Sequence, residues 1–446
     1  MQKVLIANRG AIARRVIRAC NELGLQSVAV YSEADLGAPY LTEATAAYPL
    51  AGVHAAHTYL NASRLLAIAR ESGADALHPG YGFLAENADF AAAVEAAGLT
   101  FIGPRPRWLA QMGDKVAARE LFASQGFPVF AGSTLLTSSQ QALRAAADIG
   151  YPVLVKPTGG GGGMGMMTVD DPAQLEVAVA RARTVAAQAF GDGGVFLERY
   201  VPRPRHIEFQ LLGDGQGGAL HLYERECSVQ RRNQKLLEES PAPRLDRAWL
   251  EQLAQQAAGI VGDLGYDNLG TLETLLTPQG EVGFLEMNTR IQVEHGVTEA
   301  ITGCDLVKIQ IALAAGEPLP AARPRQGHAM EVRLYAEDPQ TLLPSTGRLA
   351  VFRPPTLHGL RVETGYQAGQ TLTPHYDAML AKLIAHADTR EKAIGRLLVG
   401  LKAFEVAGVK TNAPLLIAVL QDEGFLAGQV DTGLVDRIRA KEAKRP

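Results

Sequence analysis

Five polar side chains fall at every second position between Glu286 and Glu294: Glu286, Asn288, Arg290, Gln292 and Glu294. Successive side chains of an extended strand point to opposite faces, so this spacing predicts that the five share one face. Leu285, Met287, Ile291 and Val293 take the other face, with Thr289 as the polar exception. Two carboxylates, two amides and a guanidinium suit a hard cation together with a small oxyanion: carboxylates and an amide for Mg²⁺, arginine for the anion. The competing reading is a solvated edge strand. The residues upstream favour the first. Thr271–Leu276 reads as a strand, Thr277-Pro278-Gln279-Gly280 as a turn and Val282–Glu286 as the returning strand. A turn centred between Gln279 and Gly280 sets Glu273 directly opposite Glu286. Like charges so opposed destabilise a hairpin, and a Mg²⁺ ion between them reverses the sign of that contribution. The hairpin is therefore expected to carry a metal–nucleotide site.

A second feature fits a nucleotide. Tyr151–Val155 reads as a buried strand that ends in Lys156-Pro157, and Gly159–Gly163 follow as five consecutive glycines before Met164, Gly165 and Met166. A glycine run between two strands has bare backbone N–H groups that can fold over phosphates. It is not a Walker A loop, because no Gly-Lys-Ser/Thr closes it. The alternative is a plain linker, but a lysine at the end of an apolar strand calls for an anion. Lys115, in M-G-D-K, is a second candidate phosphate lysine, although taken alone it reads more readily as a helix-surface residue. His206, Glu208 and Gln210 fall on one face of another strand and suggest nucleotide or metal contacts. Glu224–Lys235 carries four cations with little helical periodicity, which beside an acidic metal site reads as an anion cradle.

Around these residues the chain reads as α/β. Strand Val4–Ala7, a helix with Ile12, Val16, Cys20 and Leu23 as its buried stripe, and strand Ser27–Tyr31 predict a parallel sheet with crossover helices. Arg14, Arg15 and Arg18 are expected off that stripe, with Arg18 and Glu22 as an i,i+4 pair. Helix Ala62–Ser72, strand Ala74–Leu77, helix Asn87–Ala97 and strand Thr100–Ile102 continue the pattern. A Rossmann-like domain is thus expected over residues 1–112, without the glycine fingerprint of a dinucleotide site after its first strand. Residues 113–203 read as a connecting helix and a small α/β lid unit. Residues 204–446 read as strands alternating with a helix at Arg247–Leu264, then several short strands, then a helical end.

The 446 residues suffice for two or three domains. Hydrophobic content of 47% and charged content of 20% are ordinary for a soluble globular chain. A net charge of −4 gives no general footprint for nucleic acid or a membrane surface. Three scattered cysteines, Cys20, Cys227 and Cys304, argue for a reducing compartment. No signal peptide and no apolar run of roughly 18 residues is found, so a cytoplasmic location is expected.

Eight segments in order resemble the biotin carboxylase family of ATP-grasp ligases: I-A-N-R-G (6–10), H-P-G-Y-G-F-L-A-E-N (78–87), M-G-D-K (112–115), the Lys156 glycine loop, R-H-I-E-F-Q (205–210), Q-R-R-N-Q-K (230–235), E-M-N-T-R-I-Q-V-E-H (286–295) and E-V-R-L-Y-A-E-D-P (331–339). The resemblance spans residues 4 to about 430. It implies an ATP-grasp fold with an N-terminal Rossmann-like domain, a glycine-loop lid and a C-terminal biotin carboxylase domain. It implies that ATP and bicarbonate give carboxyphosphate, which carboxylates N1 of biotin. ATP would meet Lys115, Lys156, Gly161, Gly162, Gly163, His206, Gln230 and Asn233, with the backbone from Glu198 to Val201 at the adenine. Glu273, Glu286 and Asn288 would hold Mg²⁺ (or Mn²⁺). Lys235, Arg290, Gln292 and Val293 would position bicarbonate, Glu294 would take its proton, Arg333 would stabilise the biotin enolate, and Tyr81 would lie near biotin. The glycine loop is expected to close as a lid. A homodimer is implied, through the first helix around Arg18 and Glu22 and a region near Arg361.

Three positions depart from the family pattern. Met164 stands where acetyl-CoA carboxylase members usually carry Arg, Asn233 where many have His, and Gly296 where Pro is usual. Met164 with Q-R-R-N-Q-K looks like the urea carboxylase branch, whereas E-V-R-L-Y-A-E-D-P looks like acyl-CoA carboxylases. The final acceptor, whether acetyl-CoA for fatty acid biosynthesis, another acyl-CoA or urea, stays open. No lysine is flanked by methionines as a biotinyl lysine would be, so a separate biotin carboxyl carrier protein and separate carboxyltransferase subunits are expected. Two other readings stand beside this one: an ATP-grasp ligase acting on another carboxylate without biotin, and an inactive nucleotide-binding regulatory subunit.

Overall fold

The computed structural model describes residues 1–159 and 163–442. The chain opens with strands β1 (Lys3–Ile6), β2 (Gln26–Tyr31), β3 (Ala46–Pro49), β4 (Ala76–His78) and β5 (Thr100–Phe101). They form one parallel sheet in the order β3-β2-β1-β4-β5. The crossover helices include Gly10–Glu22, Ala62–Ser72 and Ala88–Ala96. Helix Ala62–Ser72 begins where the Asn61 side chain accepts from Arg64 N and ends at Gly73, whose φ of 66° suits a residue with no Cβ.

The first helix departs from its expected faces. Ile12, Val16 and Cys20 are buried, but Leu23 is 43% exposed and Arg15 only 3% exposed. Arg15 Nη2 reaches Glu299 at 2.8 Å and Asp305 at 2.5 Å, so its charge is compensated inside the protein. The expected Arg18–Glu22 pair does not form. Arg18 instead reaches Glu363 at 3.1 Å, and Glu22 takes Lys308 at 2.7 Å.

A small antiparallel sheet follows from β6 (Val153–Pro157), β7 (Met167–Val169) and β8 (Val195–Arg199), in the order β7-β6-β8. Helices Ser139–Ile149 and Pro172–Phe190 pack on it through Ala142, Ala146, Leu175, Val179 and Ala182. The next strands are β9 (Arg205–Asp214), β10 (Ala219–Arg231), β11 (Gln234–Ser240), β12 (Asp267–Leu276) and β13 (Val282–Asn288). The helix Arg247–Asp263 lies between β11 and β12, as expected within one residue. The remaining strands are β14 (His328–Tyr335), β15 (Gly347–Arg348), β16 (Val351–Arg353), β17 (Leu360–Glu363), β18 (Thr371–Leu372), β19 (Met379–Ala387) and β20 (Glu405–Ala407). Eight of these build a single sheet, β13-β12-β9-β10-β11-β14-β19-β17. The sheet therefore joins the carboxylate hairpin at one edge to C-terminal strands at the other.

The hairpin pairs Glu273 with Glu286, as the sequence predicts. The route differs. Leu276 pairs with Val282 and Thr274 with Phe284, so the turn centres on Gln279, and a bulge at Leu285 restores the Glu273–Glu286 register. The single long strand expected through Glu294 is not found. Ladder pairing ends at Asn288, and residues 289–294 are irregular before helix His295–Thr302. Glu86 accounts for the departure: it accepts from Thr289 N at 3.1 Å and from Arg290 Nε at 2.8 Å, holding the backbone off the sheet. Ile291 is buried in the cluster that also contains Ile6, Ile12 and Val16.

Candidate active site

Lys235, the second residue of β11, is the hub of the site. Its ammonium lies 2.6 Å from Glu208, 3.0 Å from Glu273 and 2.6 Å from Glu294. Each carboxylate has a second cationic or protonated neighbour. Glu208 takes the Arg225 guanidinium. Glu273 lies 2.9 Å from His206 Nε2. Glu294 accepts from Arg333 Nη2 at 3.0 Å. Burial alone would raise the Glu294 pKa, but Lys235, Arg333 and Arg225 outweigh it and hold the carboxyl well below the usual range. Glu273 is lowered in the same way, by Lys235 and His206 against burial. Burial works to lower the Lys235 ammonium, yet Glu208, Glu273 and Glu294 raise it well above its ordinary value. The charges of the site are thus mutually locked.

The amides extend this network. Asn288 Nδ2 donates to Glu273 at 2.9 Å, and its Oδ1 accepts from Arg290 Nη2 at 2.8 Å. Gln292 Nε2 donates to Glu273 at 2.6 Å. Gln230 Nε2 donates to the Cys227 carbonyl at 2.8 Å and meets His206 Nδ1 at 3.0 Å. Lys115 contacts Glu286. Its position follows from the helix Lys115–Ser124, whose N-terminus is capped by Asp114 accepting from Val116 N and Ala117 N.

The fold thus brings together Lys235, His206, Gln230, Glu273, Asn288, Gln292, Glu294, Arg290 and Arg333, and it places Glu286 with Lys115 beside them. Arg290, Gln292 and Glu294 arrive through an irregular segment rather than through a strand face. The lid-side residues form a separate group. Lys156 Nζ binds Glu198 at 2.8 Å, both being buried, and Val201 is buried two residues beyond β8. Asn233 sits in the two-residue turn between β10 and β11, where Arg232 and Asn233 have φ of 49° and 63°. This turn aims Asn233 at Gly163: a Cβ on Gly163 would lie 2.1 Å from Asn233 Nδ2. Gly161 and Gly162, expected in the lid, lie outside the described residues. Met164 is 56% exposed. Tyr81 is half-buried, its carbonyl accepts from Asn8 at 2.8 Å, and burial raises its hydroxyl pKa, with Glu363 and Arg333 among the charges that reach it. The Val293 carbonyl accepts from the buried Lys382.

Sequence reasoning missed Glu86, Glu238, Arg225 and Lys382 as parts of the site. Glu86 lies within the H-P-G-Y-G-F-L-A-E-N motif and Arg225 within the cation run. Glu238 accepts from Arg333 Nε at 2.7 Å, and nothing in its local pattern marks it. Of the four cations in that run, Arg225 is fully buried and Arg231 pairs with Glu337 at 2.5 Å. The run is therefore not one open cradle: Lys235 and the buried Arg225 reach the carboxylate cluster, and Arg231 is turned to Glu337.

Glu273 and Glu286 test the fit of a divalent ion. They are cross-strand neighbours, and each meets an ammonium, Lys235 or Lys115, where an ion could otherwise stand. With Asn288 on Glu273, the donor set is oxygen-rich and anionic, which suits Mg²⁺ or Mn²⁺.

Comparison with known proteins agrees with this architecture. Residues 1–109 match the family model "Biotin carboxylase, N-terminal domain", residues 114–322 match "Carbamoyl-phosphate synthase L chain, ATP binding domain", and residues 331–437 match "Biotin carboxylase C-terminal domain". A biotin carboxylase of Halalkalibacterium halodurans is 46% identical over 100% of both chains. Biotin carboxylase 2 of Bacillus subtilis is 46% identical over 96% of this chain and 98% of its own. The dimeric biotin carboxylase domain of Hydrogenobacter thermophilus 2-oxoglutarate carboxylase, solved with MgADP, ADP and bicarbonate, superposes with a TM-score of 0.95 at 44% identity, covering 98% of this chain and 97% of that one. A carboxylate hairpin, a lysine hub and three consecutive matching domains have one explanation in common: the chain belongs to the biotin carboxylase family.

Proposed function

We propose that this protein carboxylates N1 of biotin with ATP and bicarbonate, as the first half-reaction of a biotin-dependent carboxylase. The observation that carries the reading is the lysine hub: one ammonium shared by Glu208, Glu273 and Glu294, with Arg333 on the far side of Glu294. Glu294, held ionised, is the form of a carboxyl that can accept a proton, and it takes the proton of bicarbonate. Its basicity rises when Lys235 turns to an incoming anion, because Lys235 is the largest of the charges that depress it. The bicarbonate oxygen attacks the γ-phosphorus of ATP, the bond to the bridging oxygen breaks, and ADP leaves with carboxyphosphate formed. Biotin N1 then gives its proton to the departing phosphate and bonds to the carboxyl carbon, as the bond from that carbon to the phosphate oxygen breaks. Arg333 stabilises the negative charge on the ureido oxygen, near Tyr81.

Lys115, Lys156, His206, Gln230 and Asn233 bind ATP, with Glu198 to Val201 at the adenine and the loop through Gly161, Gly162 and Gly163 over the phosphates. Lys235, Arg290, Gln292 and Val293 hold bicarbonate. Glu273, Glu286 and Asn288 would hold Mg²⁺, which when bound neutralises phosphate charge. Residues 1–112, 113–203 and 204–446 serve as the N-terminal, lid and core-plus-C-terminal units. The biotin is carried by a separate carrier protein and discharged by separate carboxyltransferase subunits, in a cytoplasmic homodimer. The final acceptor, whether acetyl-CoA, another acyl-CoA or urea, is selected by the transferase.

Steady-state ADP release, with bicarbonate and free biotin varied independently, tests the reading. Release that requires bicarbonate and rises with biotin is expected. Release indifferent to both would return the protein to another ATP-grasp ligase reaction. Tight ATP binding without turnover would favour a regulatory role.

A further inference from the structure

Arg225 in β10 is 0% exposed, and its guanidinium is spent entirely on neighbours of the site. Nε binds Glu208. Nη1 donates to Gln210 Oε1 at 2.9 Å and to Thr298 Oγ1 at 2.8 Å. Nη2 donates to Gln292 Oε1 at 2.6 Å and lies 3.4 Å from Thr271 Oγ1. Neutralising Glu208 alone would need only an ammonium. The planar fork does more, because it meets groups from β9, β12, the irregular segment before helix His295–Thr302, and that helix itself.

The consequence falls on the Gln292 amide. A guanidinium only donates and a carboxylate only accepts. Gln292 lies between the two, with Oε1 on Arg225 and Nε2 on Glu273 at 2.6 Å. Its amide has a single workable orientation, and the flipped one would set N–H against N–H and oxygen against carboxylate. Gln210 is fixed by the same rule, between Arg225 and the Gly270 carbonyl at 2.9 Å. Gln292 Nε2 has two hydrogens and Glu273 takes one, so the second can be given to an oxyanion.

Resting on the bicarbonate reading above, we infer that Arg225 is a positioning residue for bicarbonate, acting through the Gln292 amide whose N–H it turns toward the anion. Arg225 itself touches no substrate.

The test separates the two Michaelis constants. Arg225→Lys keeps a cation for Glu208 and loses the fork. It is expected to raise the bicarbonate KM about tenfold or more, the size of one charge-assisted hydrogen bond, while the ATP KM moves by less than about threefold. Gln292→Met should give the same split, and the double variant should be no worse than the single ones, since both remove one interaction. Thr298→Val loosens the fork without touching its charge and should raise the bicarbonate KM alone, which keeps the inference testable should Arg225→Lys not fold. Both constants rising together, effects that multiply in the double variant, or no change in Thr298→Val would overturn it. Wild-type ADP release that ignores bicarbonate would instead overturn the carboxylase reading, and this inference with it.

Discussion

Glu208, Glu273 and Glu294 share the Lys235 ammonium, and each has a further partner in Arg225, His206 or Arg333. Removing one member of such a buried set leaves an uncompensated charge and costs about 3–5 kcal/mol. These side chains therefore constrain each other's position as well as their ionisation. Met164 is a contrasting residue, exposed and without a charge to offer. If an arginine there contributes as an exposed cation near phosphate, Met164→Arg should lower the ATP KM about two- to fivefold. An unchanged ATP KM would show that the lost cation is irrelevant. At this scale the sequence was most legible where residues close in the chain share a strand, as with His206, Glu208 and Gln210. Arg15 shows the limit. Its partners Glu299 and Asp305 lie 284 and 290 positions away, and no local periodicity can reveal them.

The hairpin of β12 and β13 illustrates how elements position chemistry. The Glu273–Glu286 pairing was expected from a turn centred one half-residue from its actual place, and the Leu285 bulge compensates. Bulges leave little trace in composition, so the agreement at Glu286 owes something to two offsetting departures. The strand's early end at Asn288 was equally hidden, because Glu86, which holds Thr289 and Arg290, comes from the N-terminal part of the chain. The β11–β14 pair has its own electrostatic signature. Glu238 and Glu331 are directly opposed and fully buried. Burial raises both carboxyls, helped by repulsion from Glu294 on Glu238 and from Glu238 on Glu331, against the pull of Arg333 on Glu238 and of Lys382 on Glu331. The folded protein thus keeps protons that the unfolded chain releases in the ordinary carboxylate range. Stability from this pair is full below that range and is lost as pH rises through the raised folded values. Glu331→Gln removes that loss, so its Tm relative to wild type should be higher at about pH 9 than at about pH 6. A difference that does not change with pH would contradict the assignment.

At the scale of the whole molecule, the candidate residues are gathered from different layers: Lys156 from the small antiparallel sheet, and Lys235, Glu273, Glu286 and Arg333 from four strands of the eight-stranded sheet. No helix among the described residues is long and apolar enough to cross a membrane. The parallel sheet was readable from its βαβ alternation, whereas the continuity of β11 with β14 and β19 was not, since β11 and β14 are far apart in the chain. Arg14, Arg15, Arg18 and Glu22 line a cavity of about 500 Å³ with Val362 and Glu363. Arg361, on the same β17, pairs with Glu299 at 2.8 Å, so the two regions expected at a dimer contact are neighbours. Sedimentation at micromolar concentration should give the mass of a dimer, and a monomer would remove that proposal. The most direct test of the central claim follows the carboxyl group itself: labelled bicarbonate, ATP, Mg²⁺ and free biotin, with wild type and Glu294→Gln compared. Label should enter biotin only when ATP is present, and Glu294→Gln should reduce that by about 100-fold or more, the contribution of a positioned base. ADP release with no label in biotin, or full labelling by Glu294→Gln, would contradict the account.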